Sequence, residues 1–290
     1  MKELRALDHF VVVGQEMEKR IEAFRDLGFY VGPIESHLEL GSKNCIIHFA
    51  NTYLELVDFG EAASWLSDPY GKFIESCQSG IAHISLRTCD IDLARKSAEN
   101  QGLNPDKIIY ARRKVTHPDG QEDETDSACF YAWRDDNPYL SVFLSEHRKP
   151  ETIFVEEYSN HANTATDVVR LVYMSVDPAS DIHYFSKQFG KDPDEVSSDG
   201  FKIVGSRGEI TEVLTPMAAV RRYGGNILRD SPQPLNGFCV AIHMAVRSDS
   251  QVRMVLDENQ KKYSDHDGYL IIPSSESCGF AMVFEHSSVT

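Results

Sequence analysis

Leu7-Asp8-His9-Phe10-Val11-Val12-Val13 and Tyr53-Leu54-Glu55-Leu56-Val57 bracket a segment that carries its own structural plan. Both runs are β-branched or aromatic and bounded by polar or turn residues, which reads as two short buried strands. Each holds one good metal ligand in an apolar setting, His9 in the first and Glu55 in the second. A carboxylate in a strand core is costly unless it is paired or coordinated. Between the strands, Met17, Ile21, Phe24 and Leu27 recur at helical spacing, with Gly28 as the stop. Gly28-Phe29-Tyr30-Val31 and Asn44-Cys45-Ile46-Ile47-His48-Phe49 read as two further strands. The predicted order is strand, helix, strand, strand, strand.

The rest of the chain repeats that order. Gly80-Ile81-Ala82-His83-Ile84-Ser85-Leu86 opens a second unit, with His83 where His9 stands in the first. Asp90 caps a helix from Ile91 to Gln101, and Gly102 stops it. Asp106 to Thr125 is polar, with a turn at Pro118-Asp119-Gly120. Strands resume at Ala128 to Trp133 and Tyr139 to Leu144. Laying Asn137-Pro138-Tyr139-Leu140-Ser141 on Asn51-Thr52-Tyr53-Leu54-Glu55 places Ser141 in the Glu55 position. Residues 145–166 are polar and form the best boundary, dividing the chain into 1–150 and 151–290. The second part reads as two degenerate units. Helices are predicted from Asp177-Pro178 to Phe189 and from Ser248 to Gln260. His243 lies there without a carboxylate partner and reads as a core histidine; Glu285 is expected to face away from the Val283 position. His161, in the polar boundary, is expected to make a hydrogen bond between the two parts.

The ordered set Leu7-Asp8-His9, Leu27-Gly28-Phe29, His37, Leu40-Gly41-Ser42, Asn44 and Tyr53-Leu54-Glu55-Leu56 resembles the glyoxalase-like branch of the vicinal oxygen chelate superfamily. The resemblance implies an α+β fold: four βαβββ modules pairing into curved, mainly antiparallel, cup-shaped sheets with helices outside. It also implies a divalent metal in the cup. If His9, Glu55 and His83 share the concave face, two imidazoles and a carboxylate converge there. That set with open positions suits Fe, Mn, Ni, Co or Zn. The plain alternative for each histidine is a hydrogen-bonded core residue, and for Glu55 a salt bridge.

His37 and Asn44 match the resembling motif and are expected to touch substrate or to support the metal ligands. Ser141 and Trp133 are further cup candidates, Trp133 with Tyr131 as an aromatic wall. Arg113, beside Arg112, could bind a substrate carboxylate through its planar fork. The resemblance departs from true glyoxalase I, because Ser141 replaces a carboxylate. The residue set is closer to that of the extradiol dioxygenases, which draw their ligands from the C-terminal modules instead. The function expected is a lyase, isomerase or ring-cleaving dioxygenase acting on a small oxygenated molecule. The alternative is a non-catalytic protein that sequesters a small molecule in the same cup.

A net charge of −16 argues against nucleic acid and anionic membrane as partners. None of the six cysteines is spaced Cys-x-x-Cys, so a zinc ribbon is not expected. No Gly-x-Gly-x-x-Gly, P-loop or Gly-x-Ser-x-Gly motif is present. With no signal-like N-terminus and reduced thiols, a cytoplasmic protein is expected, with the degenerate second half as a candidate homodimer surface.

Overall fold

The structure is a computed structural model that describes residues 3–14, 16–60, 75, 78–132, 142–225, 227 and 238–286. The first sheet is built from β1 (Ala6–Gly14), β2 (Glu35–Ser36), β3 (Lys43–His48), β4 (Tyr53–Asp58), β5 (Ser79–Arg87), β6 (Ile109–Ala111), β9 (Ser127–Tyr131) and β10 (Val142–His147). Its helices are α1 (Met17–Asp26) and α2 (Ile91–Asn100), and a separate hairpin joins β7 (Lys114–Thr116) to β8 (Glu122–Glu124). The second sheet takes β11 (Ala165–Met174), β12 (Glu195–Ser197), β13 (Gly200–Val204), β14 (Ile210–Leu214), β15 (Phe238–Val246), β16 (Ser264–His266), β17 (Tyr269–Ile272) and β18 (Ala281–His286). It carries α3 (Pro178–Phe189), α4 (Pro216–Tyr223) and α5 (Asp249–Glu258). Strand order is β2-β3-β4-β1-β5-β10-β9-β6 in one sheet and β12-β13-β14-β11-β15-β18-β17-β16 in the other, the same plan used twice.

Sequence signals explain the helices. Asp90 accepts from the Leu93 N–H, and Ser248 accepts from the Gln251 N–H, so the predicted caps form. Pro178 occupies the first turn of α3, and Gly190 ends it at φ 77°. Phe24, Ile91, Phe185 and Val252 face the sheets' convex sides, where one continuous apolar core runs through both halves. Tyr184 crosses that core, receiving the Val142 N–H at 2.8 Å and giving its hydroxyl to the Ala132 carbonyl at 3.1 Å. Among the described residues no helix is long and apolar enough to cross a membrane.

Two predicted elements differ. Residues 28–31 form no strand; the nearest is the two-residue β2, and Gly32 alone sends its N–H to the Ile46 carbonyl. Phe29 is drawn instead into the core between the halves, 6.4 Å from Phe284 ring to ring. The polar stretch 106–125 holds the expected turn, with the Gly120 N–H on His117, but also three short strands that its composition hid.

The strand register fixes which positions correspond. His9 pairs with Ser85 and Val11 with His83, a pattern symmetric on exchanging the two units, so His9 and His83 are equivalent. Glu55 lies beside Val11, and Phe143 lies beside Ser85. The counterpart of Glu55 is therefore Phe143, two residues beyond the position expected from the sequence. Ser141 and Trp133 lie outside the described residues. In the second sheet Arg170 pairs with His243, and Glu212 lies beside Val172. Arg170 thus takes the His9 position and Glu212 the Glu55 position.

That second cup is filled. Ala218, Ala219 and Tyr223 of α4 pack against Val172, Ala241 and Val283. Glu212 is neutralised by Arg170 at 2.9 Å and Arg222 at 2.6 Å. His243 is fully buried, 3.0 Å from the Tyr223 hydroxyl, as a core histidine should be. Its other nitrogen is 3.3 Å from Glu285, which corrects the expectation that Glu285 faces away. Residues 283 and 285 are two apart on one strand and share a face.

Candidate metal and substrate site in the first cup

A β-bulge shapes the first cup. Pairing of β1 with β5 jumps from Leu7–Leu86 to His9–Ser85, leaving Asp8 without a partner in the ladder. Such a bulge re-aims side chains. Asp8 and His9 consequently meet, with Asp8 Oδ2 2.9 Å from His9 Nδ1. The same oxygen is 2.6 Å from His147 Nε2, and Arg87 Nε donates to Oδ1 at 2.7 Å. Burial alone would raise the Asp8 carboxyl, but His147 and then His9 hold it well below the ordinary carboxylate range. An ionised carboxylate only accepts, so both imidazoles donate to it. With Nδ1 turned to Asp8, His9 presents its Nε2 to the cup.

The His9 ring is fixed on two more sides. It stacks on Tyr53 at 4.4 Å and meets the edge of Phe143 at 5.2 Å. Its Nε2 stands 3.7 Å from Glu55 Oε2. Glu55 Oε1 receives the Asn44 side-chain N–H at 2.6 Å and lies 3.7 Å from His37 Nε2. His37 is anchored at Nδ1 by Ser42 Oγ, 2.8 Å away, and burial lowers its pKa. Among the described residues, no Lys or Arg comes within 4.0 Å of Glu55. Its oxygens meet the Asn44 amide and the His9 and His37 rings, and Arg113 acts on it through space. These side chains line a cavity of about 80 Å³ that also includes Arg113, Ser127 and His147.

His9, Glu55, His37, Asn44 and Arg113 are therefore brought to one cavity. His83 is equivalent to His9 by register but packs its ring at 5.7 Å on Tyr131, and it is absent from the cavity wall. Two ligands on one divalent ion at ~2.1 Å stand roughly 3.0–3.4 Å apart. The His9–Glu55 spacing of 3.7 Å is a few tenths wider, so these two donors fit a shared ion. Asp8, His9 and His147 offer a second grouping, with ligand atoms all within 4.8 Å. Its contacts are direct hydrogen bonds, and Arg87 already balances Asp8. That arrangement is the carboxylate-histidine support found behind metal ligands. Asp8 and His147 were missed from the sequence. A buried Asp in a strand carries the same warning that singled out Glu55, whereas His147 lay hidden in a charged run.

Paired βαβββ units, with an acid and an imidazole in the cup, define a protein of the vicinal oxygen chelate type. The chain belongs to the Glyoxalase-like domain family, whose match covers residues 7–186. No curated protein matches it. Among solved structures it is similar to a hypothetical protein from Staphylococcus aureus, at 12% identity and a TM-score of 0.68, covering 97% of this chain and 98% of that one. It is similar to a mutant 4-hydroxymandelate synthase from Streptomyces coelicolor at 9% identity and TM-score 0.58, covering 97% and 92%. A xylose isomerase-like TIM barrel/4-hydroxyphenylpyruvate dioxygenase fusion protein gives 11% and 0.56, with all of this chain covering 51% of that one. At such identities these structures share the fold.

Proposed function

We propose that the chain is a metal-dependent enzyme acting on a small oxygenated organic molecule bound in the first cup. The observation that supports this most is the approach of His9 Nε2 to Glu55 Oε2 at 3.7 Å, with no Lys or Arg among the described residues within 4.0 Å of the carboxylate. His9 and Glu55 would hold the ion, with His37 as the nearest third imidazole and His83 as the ligand implied by family resemblance. A bound Fe, Mn, Ni, Co or Zn ion would supply Lewis-acid polarisation of a substrate oxygen. Asn44 fixes Glu55 Oε1, which leaves Oε2 as the atom that coordinates or takes a proton. Asp8 fixes the His9 tautomer, and the aromatic wall of Tyr53, Tyr131 and Phe143 excludes water. Lyase, isomerase and ring-cleaving dioxygenase chemistry all fit such a site.

Metal content by inductively coupled plasma mass spectrometry, on untagged wild type and Glu55→Ala, tests the proposal. Near-stoichiometric metal lost in Glu55→Ala supports it, and iron would favour oxygenase chemistry. No metal in wild type, even after reloading, would overturn it.

One observation favours a second reading, in which the cup only sequesters a small molecule. Phe143 occupies the position equivalent to Glu55, so one carboxylate of a symmetric ligand set is replaced by an aromatic wall. That reading predicts ligand binding unaffected by chelators or by His9→Ala.

A further inference from the structure

Arg113 sits in the cup wall with 7% of its surface exposed. Its backbone is pinned: the N–H goes to Thr125 Oγ1 at 3.0 Å, and its carbonyl receives the Thr125 N–H at 2.9 Å. A bridge to His37 ties it to the opposite edge of the site. The guanidinium is far less satisfied. Nη1 reaches only the Lys114 carbonyl at 3.5 Å, and Nη2 has no hydrogen-bond partner. Among the described residues, no Asp or Glu lies within ion-pair distance of it. Glu55 and Glu35 act on it through space, yet Glu55 is engaged by Asn44. The neighbouring Arg112 is the contrast: it is exposed and closed onto Glu39.

Leaving a guanidinium buried and unpaired costs several kcal/mol, because it cannot shed its proton as Lys or His would. Such a group is retained where a ligand completes it. Its donors form a planar fork matched to a carboxylate. The cavity, at about 80 Å³, is smaller than the ~150 Å³ void that accepts benzene, so the ligand body is small.

We propose that the first cup binds a small carboxylic acid, with its carboxylate on the Arg113 guanidinium and its oxygenated body towards His9 and Glu55. This rests on the reading of the cup as a small-molecule site and names the ligand class. The carboxylate replaces the missing counter-charge, and the neutral wall of Tyr131 and Phe143 takes the apolar part. An amide or alcohol of the same shape leaves the fork unfilled.

Isothermal titration with matched probes that fit the cavity tests it: acetate against acetamide, propionate against propionamide, and inorganic phosphate. Each is titrated into protein as purified and into protein stripped with chelator. The expected result is that the acids bind at least tenfold more tightly than the amides in both preparations. Arg113→Gln is expected to lose that preference, keep the wild-type metal content, and melt no lower than unliganded wild type, since an unpaired buried charge has been removed. Equal binding of acid and amide would overturn the proposal, as would unchanged acid binding in Arg113→Gln or phosphate binding that displaces every acid. Arg113→Lys keeps the charge without the fork and is expected to weaken acid binding. The wild-type comparison stands even if neither variant folds. Acid-selective binding by a protein that never takes up metal would sink the enzymatic reading and leave this one intact. Metal uptake without acid selectivity would do the reverse.

Discussion

Asp8 Oδ2 stands 2.6 Å from His147 Nε2, and so a bulge in the first strand of the first sheet is tied to the end of its last long strand. That one oxygen also receives His9, while Arg87 balances the charge at the other. The imidazole of His9, the proposed metal ligand, is thereby oriented by a group that is absent from the cavity wall.

Asp8→Asn is expected to destabilise the fold by about 3–5 kcal/mol, because it leaves the Arg87 charge without its partner. Metal affinity should also fall, by roughly 10- to 100-fold, since the support behind His9 is lost. Urea unfolding and metal titration read the two effects separately. Unchanged metal affinity would show that Asp8 does not position His9.

Stability should fall as the pH drops from 6.5 to 4. His161 receives the Tyr30 N–H at Nδ1 and gives its Nε2–H to the His48 carbonyl, so protonation would set two donors against each other. His48 in turn donates Nδ1–H to the Ile153 carbonyl. Burial pushes both pKa values from 6.5 down to about 4. The unfolded chain therefore binds protons across that window while the folded protein does not. The contribution of these two histidines is complete above pH 6.5, declines by up to about 1.4 kcal/mol per pH unit for each, and is spent below 4, where the depressed Asp8 carboxyl carries the further loss. Urea midpoints measured from pH 8 to 4 check the slope, and His161→Gln should flatten it.

Tyr223→Ala should cost about 3–5 kcal/mol, as expected for emptying a buried aromatic site. It fills the second cup and meets His243. Metal content and acid binding should stay at wild-type levels, because that cup is core. Lost metal in this variant would assign a functional site to the second half.

Much of this was legible in the sequence. His9 and Glu55 could be found because each is polar within an apolar strand, and His37 and Asn44 because they match the motif of the resembling family; all four meet in the cup. Asp8 was hidden by the assumption of strict strand alternation, which its bulge breaks. The counterpart of Glu55 shifted from Ser141 to Phe143 because register is set by strand pairing, which local similarity between the units does not encode. Phe29 reads as a strand residue by propensity, yet contact with the second half decides its place. Nothing local marked α4, whose role is to fill a cup made by distant strands.

A crystal soaked with Zn(II) or grown with Fe(II), measured at the metal's absorption edge, tests the central claim most directly. The account predicts one anomalous peak in the first cup between His9 Nε2 and Glu55, lost in Glu55→Ala. A peak on Asp8 and His147 instead, or none in the first cup, would contradict it.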